Sequence, residues 1–153
     1  MAYDINQFNS LRQAILDRIS GDETTIQEAH FEQRSEFEGS PAAVIGVSQN
    51  EALYNSNQMD RLTFVFQVMI YIPLKSDTDA HEVEINMGKA YWEVYHMFNQ
   101  RGVLDGIEGL ENIQVEPIPS IWGFEERAEG IYRFAEINLR CVVFMSNSRR
   151  LGS

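Results

Sequence analysis

The clearest pattern along the chain is the alternation of apolar and polar residues in two long segments, Arg61–Leu74 and Ile131–Met145. Side chains of a strand point alternately to its two faces, so this alternation predicts two long strands with one core face each. On the first segment that face carries Leu62, Phe64, Phe66, Val68, Ile70 and Ile72. On the second it carries Ile131, Ala135, Ile137, Leu139, Cys141, Val143 and Met145, broken only by Arg133.

Two segments have apolar residues at helical spacing instead. Asp4–Ile19 predicts an N-terminal amphipathic helix, with Asp4 as N-cap and Gly21 as its stop. Ala80–Arg101 predicts a central helix that follows a capping residue among Asp77, Thr78 and Asp79 and ends at Gly102. In this helix we expect Gly88 to allow close approach of a strand, and Trp92 to lie at the edge of the apolar stripe or in a contact.

The remaining segments are shorter. Thr24–Glu38 predicts a strand or an extended arm, Ala42–Val47 a buried strand, and Ser48–Asp60 a polar loop of a kind that is commonly functional. Pro117 and Pro119 interrupt Ile113–Ile118, which predicts a short edge strand, and the acidic stretch Gly123–Gly130 predicts a loop.

Together these elements predict one α+β domain over residues 1–153, with a polar tail at 146–153. We expect a mostly antiparallel sheet with the N-terminal and central helices packed on one face. The opposite face is half apolar, with Val65, Met69, Tyr71, Phe134, Val142 and Phe144. Either a protein partner covers that face or the sheet folds over on itself.

The formal charge of −11 disfavours tight nucleic-acid binding, which depends on Lys and Arg. The acidity fits ordinary solubility, or a wall that DNA must slide past without sticking. The single cysteine, Cys141, lies on a predicted core face, so we expect a structural thiol. We expect neither a signal peptide nor a membrane span.

Candidate chemistry is sparse. His81 with Glu84, and Glu93 with His96, share helix faces, but no HExxH sequence is present, so solvated side chains are favoured over metal ligands. Nucleophile and phosphate-loop motifs are absent from the sequence. We therefore expect no enzyme, no cofactor and no metal.

The order of elements, with the segments RLTFVFQVMIYIPL, DAHEVEINMGKAYWEVYHMFNQRG and GIYRFAEINLRCVVF, resembles the tail terminator (tail completion) proteins of long-tailed bacteriophages. The resemblance covers about Asp4–Met145 and extends more loosely to neck proteins. It implies a homo-oligomeric ring, usually of six subunits, at the head-proximal end of the tail tube. The ring stops tube polymerisation, meets the head–tail connector or stopper protein, and lets DNA pass without specific binding.

The resemblance also suggests site residues and a location. Subunit contacts are expected from the long loop and its end, at Tyr54, Asn55, Asn57, Asp60 and Arg61. The acidic lumen is expected at Glu125, Glu126 and Glu129. The protein would be found in the virion at the tail–neck junction, and in the host cytoplasm during assembly.

Three other functions remain open from the sequence. The first is a neck or head–tail joining protein, the second is a component of a secretion system or contractile particle, and the third is a small enzyme or ligand-binding domain. The last predicts a pocket between helix and sheet near Trp92, Trp122 and His96.

Overall fold

A computed structural model describes residues 5–21, 23–34, 36–47, 61–75, 77–128 and 130–145. Its elements in chain order are α1 (Ile5–Ile19), β1 (Glu28–His30), β2 (Ala42–Val47), β3 (Arg61–Leu74), α2 (Ala80–Phe98), β4 (Leu110–Arg127) and β5 (Gly130–Met145). The predicted α+β class is confirmed. Neither helix of these ranges has the length and apolar character needed to cross a membrane.

The strands form a five-stranded sheet in the order β1-β2-β3-β5-β4. Only the β1–β2 pair is parallel. β3 pairs with β5 from Arg61 opposite Phe144 to Leu74 opposite Ile131. This long central pair explains the dominance of two alternating segments in the sequence, since both strands bury one complete face.

Both helices pack on the same face of the sheet, which we call the helix face. The buried core there contains Leu11, Ile15 and Ile19 of α1, Val83, Met87 and Val94 of α2, and Phe66, Val68, Ile70, Ile137 and Leu139 of the sheet. Each such aliphatic side chain contributes about 1.5–3 kcal/mol on burial. Arg12 fastens α1 to the sheet by donating to the carbonyl oxygens of Phe31 and Ile45 at 3.0 and 2.9 Å.

The ends of α2 agree only partly with prediction. Asp79 is the N-cap, and its carboxylate accepts a hydrogen bond from the backbone N–H of His81 at 2.9 Å. The helix ends at Phe98 with Asn99 as C-cap, earlier than predicted, and Gly102 lies in the turn beyond it with φ +77°. The prediction for Gly88 is wrong, because a Cβ there would meet nothing within 4 Å.

The C-terminal half departs most from prediction. β4 is a single strand of 18 residues, so the short strand Ile113–Ile118 and the loop Gly123–Gly130 were both wrong. The strand stays continuous through two register shifts, between Glu111 and Gln114 and between Pro119 and Trp122. Such bulges, with prolines and a glycine, are tolerated because β4 is an edge strand, as predicted.

The face opposite the helices, which we call the second face, is partly covered by the chain itself. Phe37, from the segment between β1 and β2, stacks on Tyr71 with ring centroids 5.4 Å apart. Tyr71 is 1% exposed. At this end the segment between β1 and β2 covers the second face, rather than the sheet folding over on itself. Of the predicted segment Thr24–Glu38, only the three residues of β1 form a strand.

Candidate interface: an exposed aromatic belt beside an open sheet edge

The predicted loop contacts fall almost entirely outside the described residues. Tyr54, Asn55, Asn57 and Asp60 all lie in the range 48–60, which the structure does not describe. Arg61 is the first residue of β3, opposite Phe144. The loop hypothesis for subunit contacts therefore stays a prediction.

The predicted acidic lumen stays a prediction, and its residues are divided between the two faces of the sheet. Glu125 and Glu126 are neighbours in β4, so their side chains point to opposite faces of the sheet. The Glu125 carboxylate lies 2.7 Å from the Arg127 guanidinium on the second face. Glu126 is opposite Ile131 on the helix face. No single face of the sheet therefore presents both carboxylates, and Glu129 lies outside the described residues.

A different cluster of side chains is exposed on the helix face. We call it the aromatic belt and define it as Trp92, Tyr91, Trp122, Arg133 and Phe124. Ring centroids are 6.4 Å apart between Trp92 and Tyr91, and 5.0 Å apart between Tyr91 and Trp122. The Arg133 guanidinium lies over Trp122 at 5.3 Å and over Phe124 at 4.6 Å. The belt therefore runs without a break from α2 to the edge strand.

The outer members of the belt are exposed to solvent. Phe124 is 63% exposed, Trp92 55% and Trp122 37%. Ile85, one helical repeat of seven residues before Trp92, is 54% exposed. Adjacent exposed aromatic and aliphatic side chains are uncommon on monomeric proteins and mark interaction sites, where Trp, Phe and Arg are enriched.

Local structure explains how the belt arises. The bulge between Pro119 and Trp122 resets the alternation of β4, so that Trp122 and Phe124 both face the helices. They lie beyond the width that α2 covers, apart from the contact between Tyr91 and Trp122. The belt thus forms where the edge strand extends past its covering helix.

Arg133, the break in the apolar pattern of β5, anchors the belt electrostatically. It donates two hydrogen bonds to the Glu84 carboxylate, at 2.7 and 3.0 Å, and one to the carbonyl oxygen of Gly123 at 3.0 Å. The hydrogen bond from Arg133 lowers the pKa of Glu84, although burial opposes it. The two hydrogen bonds to one carboxylate fix the orientation of the guanidinium beside the aromatic rings.

The backbone of β4 at the belt also has N–H and C=O groups that point away from β5. Proline has no N–H, so Pro117 and Pro119 must point their nitrogens away from β5. Residues on the same face of β4 share that orientation, and after the bulge these are Trp122, Phe124 and Glu126. No described strand lies on that side of β4. The prolines remove donors from the first part of the edge and leave Trp122–Glu126 available.

Other candidate sites carry less chemistry. A concavity of about 410 Å³ beside α2 is lined by Trp92, Glu93 and His96 but not by Trp122. The Glu93 carboxylate is engaged with the backbone N–H and hydroxyl of Thr25, both at 2.8 Å. Within the described ranges no three His, Cys, Asp or Glu side chains gather in an arrangement that could hold a metal ion.

Cys141 is the buried structural thiol that its position predicted. It is 0% exposed, and burial raises the pKa of its thiol to about 12. The thiolate is the reactive form of cysteine, so this thiol is held in the unreactive form at neutral pH.

Sequence comparison adds no relative to this description. No protein-family model matches the chain, and no curated protein is significantly similar to it.

The sequence analysis missed the belt because it placed Trp122 and Phe124 next to or inside a loop. The available signal was their spacing of two residues, with Glu126 following at the same interval, which continues a strand pattern beyond Pro119.

Proposed function

We propose that this chain is a structural assembly protein that acts through protein–protein contacts, and that its assembly is a ring at the head-proximal end of a phage tail tube. The observation that supports a structural role is the exposed aromatic belt beside an open sheet edge. The finer proposal, a tail terminator, rests on the resemblance of the strand and helix segments to that family.

The belt has the composition of a binding surface. Its aromatic side chains offer large apolar area with little conformational entropy to lose, and the central arginine is already oriented by Glu84. A neighbouring subunit or the end of the tube would bury Phe124 and Trp92, which are more than half exposed in the free chain.

The overall acidity supports the same proposal. A chain of net charge −11 repels DNA, which suits a ring that conducts DNA without retaining it. Glu125 and Glu126 point to opposite faces, so only one of the two would face the lumen if a face of the sheet lines it.

The belt also weighs against the alternative of a ligand-binding domain. That function predicted a pocket shared by Trp92, Trp122 and His96. Instead, Trp92 and Trp122 are joined by Tyr91 across an exposed surface, and the nearby concavity includes Trp92 and His96 without Trp122. A surface of this kind favours a macromolecular partner over a small molecule.

The test is to incubate the full chain with purified cognate tail tubes, image the tubes by electron microscopy, and measure the mass of the particles formed. We expect a ring on one end of each tube, with the mass giving the number of subunits. The double variant Ile85→Ser and Trp92→Ser should cap fewer tubes, whereas Gln13→Ala, an exposed change on α1, should cap as many as the unmodified chain.

Two other outcomes would overturn the terminator proposal. Binding to filled heads and not to tubes would identify a neck protein. Binding to neither would remove the role in the virion altogether.

A further inference from the structure

Only one stretch of the described sheet edges combines free backbone groups with exposed aromatic side chains, and that stretch is Trp122–Glu126. We propose that it pairs with the same stretch of a second copy of this chain, antiparallel, about a two-fold axis at Phe124. The two five-stranded sheets would then continue into one another. This pairing describes the free chain in solution, and because it covers Phe124 it must separate before the belt contacts a tube or a ring neighbour.

The register of the pair follows from the positions of the outward-facing groups. With Phe124 opposite the second copy's Phe124, Trp122 lies opposite Glu126 at both ends. Each strand then uses the N–H and C=O groups of all three residues, as an antiparallel ladder requires. Pro119 and Pro117 have no donor, so the ladder cannot extend to them in any register.

The side chains also favour a second copy over an unrelated strand. On the helix face the pair would form a row of Arg133, Phe124 and the same two residues of the second copy, since Arg133 is the cross-strand neighbour of Phe124. Apolar side chains meet at the centre, and the two carboxylates of Glu126 are kept apart at opposite ends. Directly opposed aromatic side chains stabilise antiparallel strands.

The distribution of charge also favours a second copy of the chain as the partner of this edge. Two chains of net charge −11 repel each other over most of their surface. Around Trp122–Glu126 two of the acidic side chains are paired within the chain, Glu84 with Arg133 and Glu125 with Arg127, and Glu126 carries the remaining charge. This stretch is therefore a place where two copies can approach closely, because the proposed register puts the two remaining carboxylates, those of Glu126, at opposite ends of the pair.

The experiment measures the dissociation constant of the full chain by analytical ultracentrifugation over a range of concentrations. The test variant is Glu126→Pro, which removes one outward donor from each copy just as the native prolines do, and keeps both aromatic side chains. The control is Glu126→Ala, which removes the carboxylate but keeps the N–H. Loss of two hydrogen bonds per dimer should weaken association about ten-fold or more in Glu126→Pro and change it little in Glu126→Ala.

A second measurement does not depend on any variant. Hydrogen exchange followed by NMR should show the amides of Trp122, Phe124 and Glu126 becoming protected as the concentration of the unmodified chain rises. Gln13→Ala, an exposed change on α1, should leave the association unchanged.

A monomer at all concentrations would overturn the inference. So would equal association of Glu126→Pro and the unmodified chain, or amides that exchange at the same rate at every concentration. Failure of the chain to cap tail tubes would leave the dimer measurement untouched, so the two proposals fail separately.

Discussion

Two arginines on opposite faces of the sheet, Arg127 and Arg133, have similar partners and different surroundings. Arg127 lies over Tyr71, Phe37 and Tyr132 at 4.5, 5.3 and 5.5 Å, and pairs with Glu125 at 2.7 Å. Tyr71 and Tyr132 beneath it are buried, and Phe37 is half-buried. We call this group the covered cluster.

Arg133 repeats the arrangement in the belt. It lies over Phe124 and Trp122 and pairs with Glu84, also at 2.7 Å. The side chains of the two arginines are about equally shielded, with 10% exposed for Arg127 and 13% for Arg133. The aromatic rings of the belt, in contrast, face solvent.

The difference arises from the segment between β1 and β2. It crosses the second face, where Arg127 donates to the carbonyl oxygen of Arg34 and, at 2.6 Å, to the side chain of Gln33. No described segment crosses the belt in the same way. The same Arg–aromatic chemistry therefore stabilises the fold where the chain covers it, and forms a candidate interface where the chain does not.

The largest expected contrast is between Tyr71→Ala in the covered cluster and Phe124→Ala in the belt. Removing a buried aromatic side chain leaves a cavity and should lower the free energy of unfolding by about 3–5 kcal/mol. Phe124 is 63% exposed, so its loss should lower that free energy by less than about 1 kcal/mol. Urea denaturation of both variants measures the difference, and equal losses would contradict the division into two regions.

The next largest contrast is in the free energy of unfolding that is lost when each arginine is replaced by alanine. Arg127→Ala removes three ring contacts and the hydrogen bonds to the covering segment, which should lower the free energy of unfolding by about 2–4 kcal/mol. Arg133→Ala removes contacts with two exposed rings, one bond to a carbonyl and an ion pair whose Glu84 side chain is 48% exposed, so we expect a loss of about 1–2 kcal/mol. Lysine at each position is the control, since it keeps the charge and loses the planar fork. A larger effect at Arg133 would show that the belt is part of the stable core.

The covering segment can be disturbed without touching an aromatic residue. A Cβ at Gly39 would lie 2.7 Å from the Cβ of Gln27, too close for any side chain, so Gly39→Ala must displace the backbone. We expect a loss of about 1–3 kcal/mol in the free energy of unfolding. Gly46→Ala in β2 is the matched control, because its nearest contact is an ordinary 3.8 Å from Gln67. An equal response of the two glycines would mean that the segment is not held tightly.

The smallest contrast is in the pH dependence. Burial raises the pKa of Glu28, but hydrogen bonds from His30 and the Gly39 amide outweigh it and hold that pKa below the ordinary value. The stabilisation is thus present above the pKa of the unfolded chain and is lost as the pH falls through the folded one. In Glu28→Gln the stability should therefore fall less steeply as the pH is lowered. Thermal unfolding at a series of pH values measures this change.

Glu84→Gln provides the comparison for that measurement. The pKa of Glu84 is also lowered, chiefly by the hydrogen bond from Arg133, so its contribution has the same sign. Its side chain is 48% exposed, and solvent screens the pair, so the flattening should be smaller than for Glu28→Gln. A larger effect from Glu84 would reverse the assignment of the two regions.

The fold was largely predictable because its central pair is regular. Apolar and polar residues alternate along β3 and β5, and apolar residues recur at helical spacing along α2. The spacing of apolar residues alone therefore identifies all three elements. β4 was not predictable in this way. Two bulges shift its alternation, and Pro117, Pro119 and Gly123 are residues that normally end strands. They are tolerated here only because one side of β4 has no described neighbour.

The candidate site was less predictable than the fold. In the sequence Glu125 and Glu126 are two adjacent acidic residues with nothing to distinguish them. In the strand their side chains point to opposite faces, and Arg127 forms an ion pair with Glu125 alone of the two. Trp122 and Phe124 could be assigned to a shared surface only once the bulge had been located and Tyr91 had been placed against Trp122.

Local periodicity and charge, which depend on residues close together in the chain, determined the α+β class, the long central strands, the buried cysteine and the acidity. Only the tertiary structure decided which of two similar arginine clusters is covered. That outcome depends on residues far apart in sequence, such as Gln33 and Arg127, meeting across the sheet. The extent of the open edge was decided in the same way, because it follows from strand order and the orientation of each backbone group.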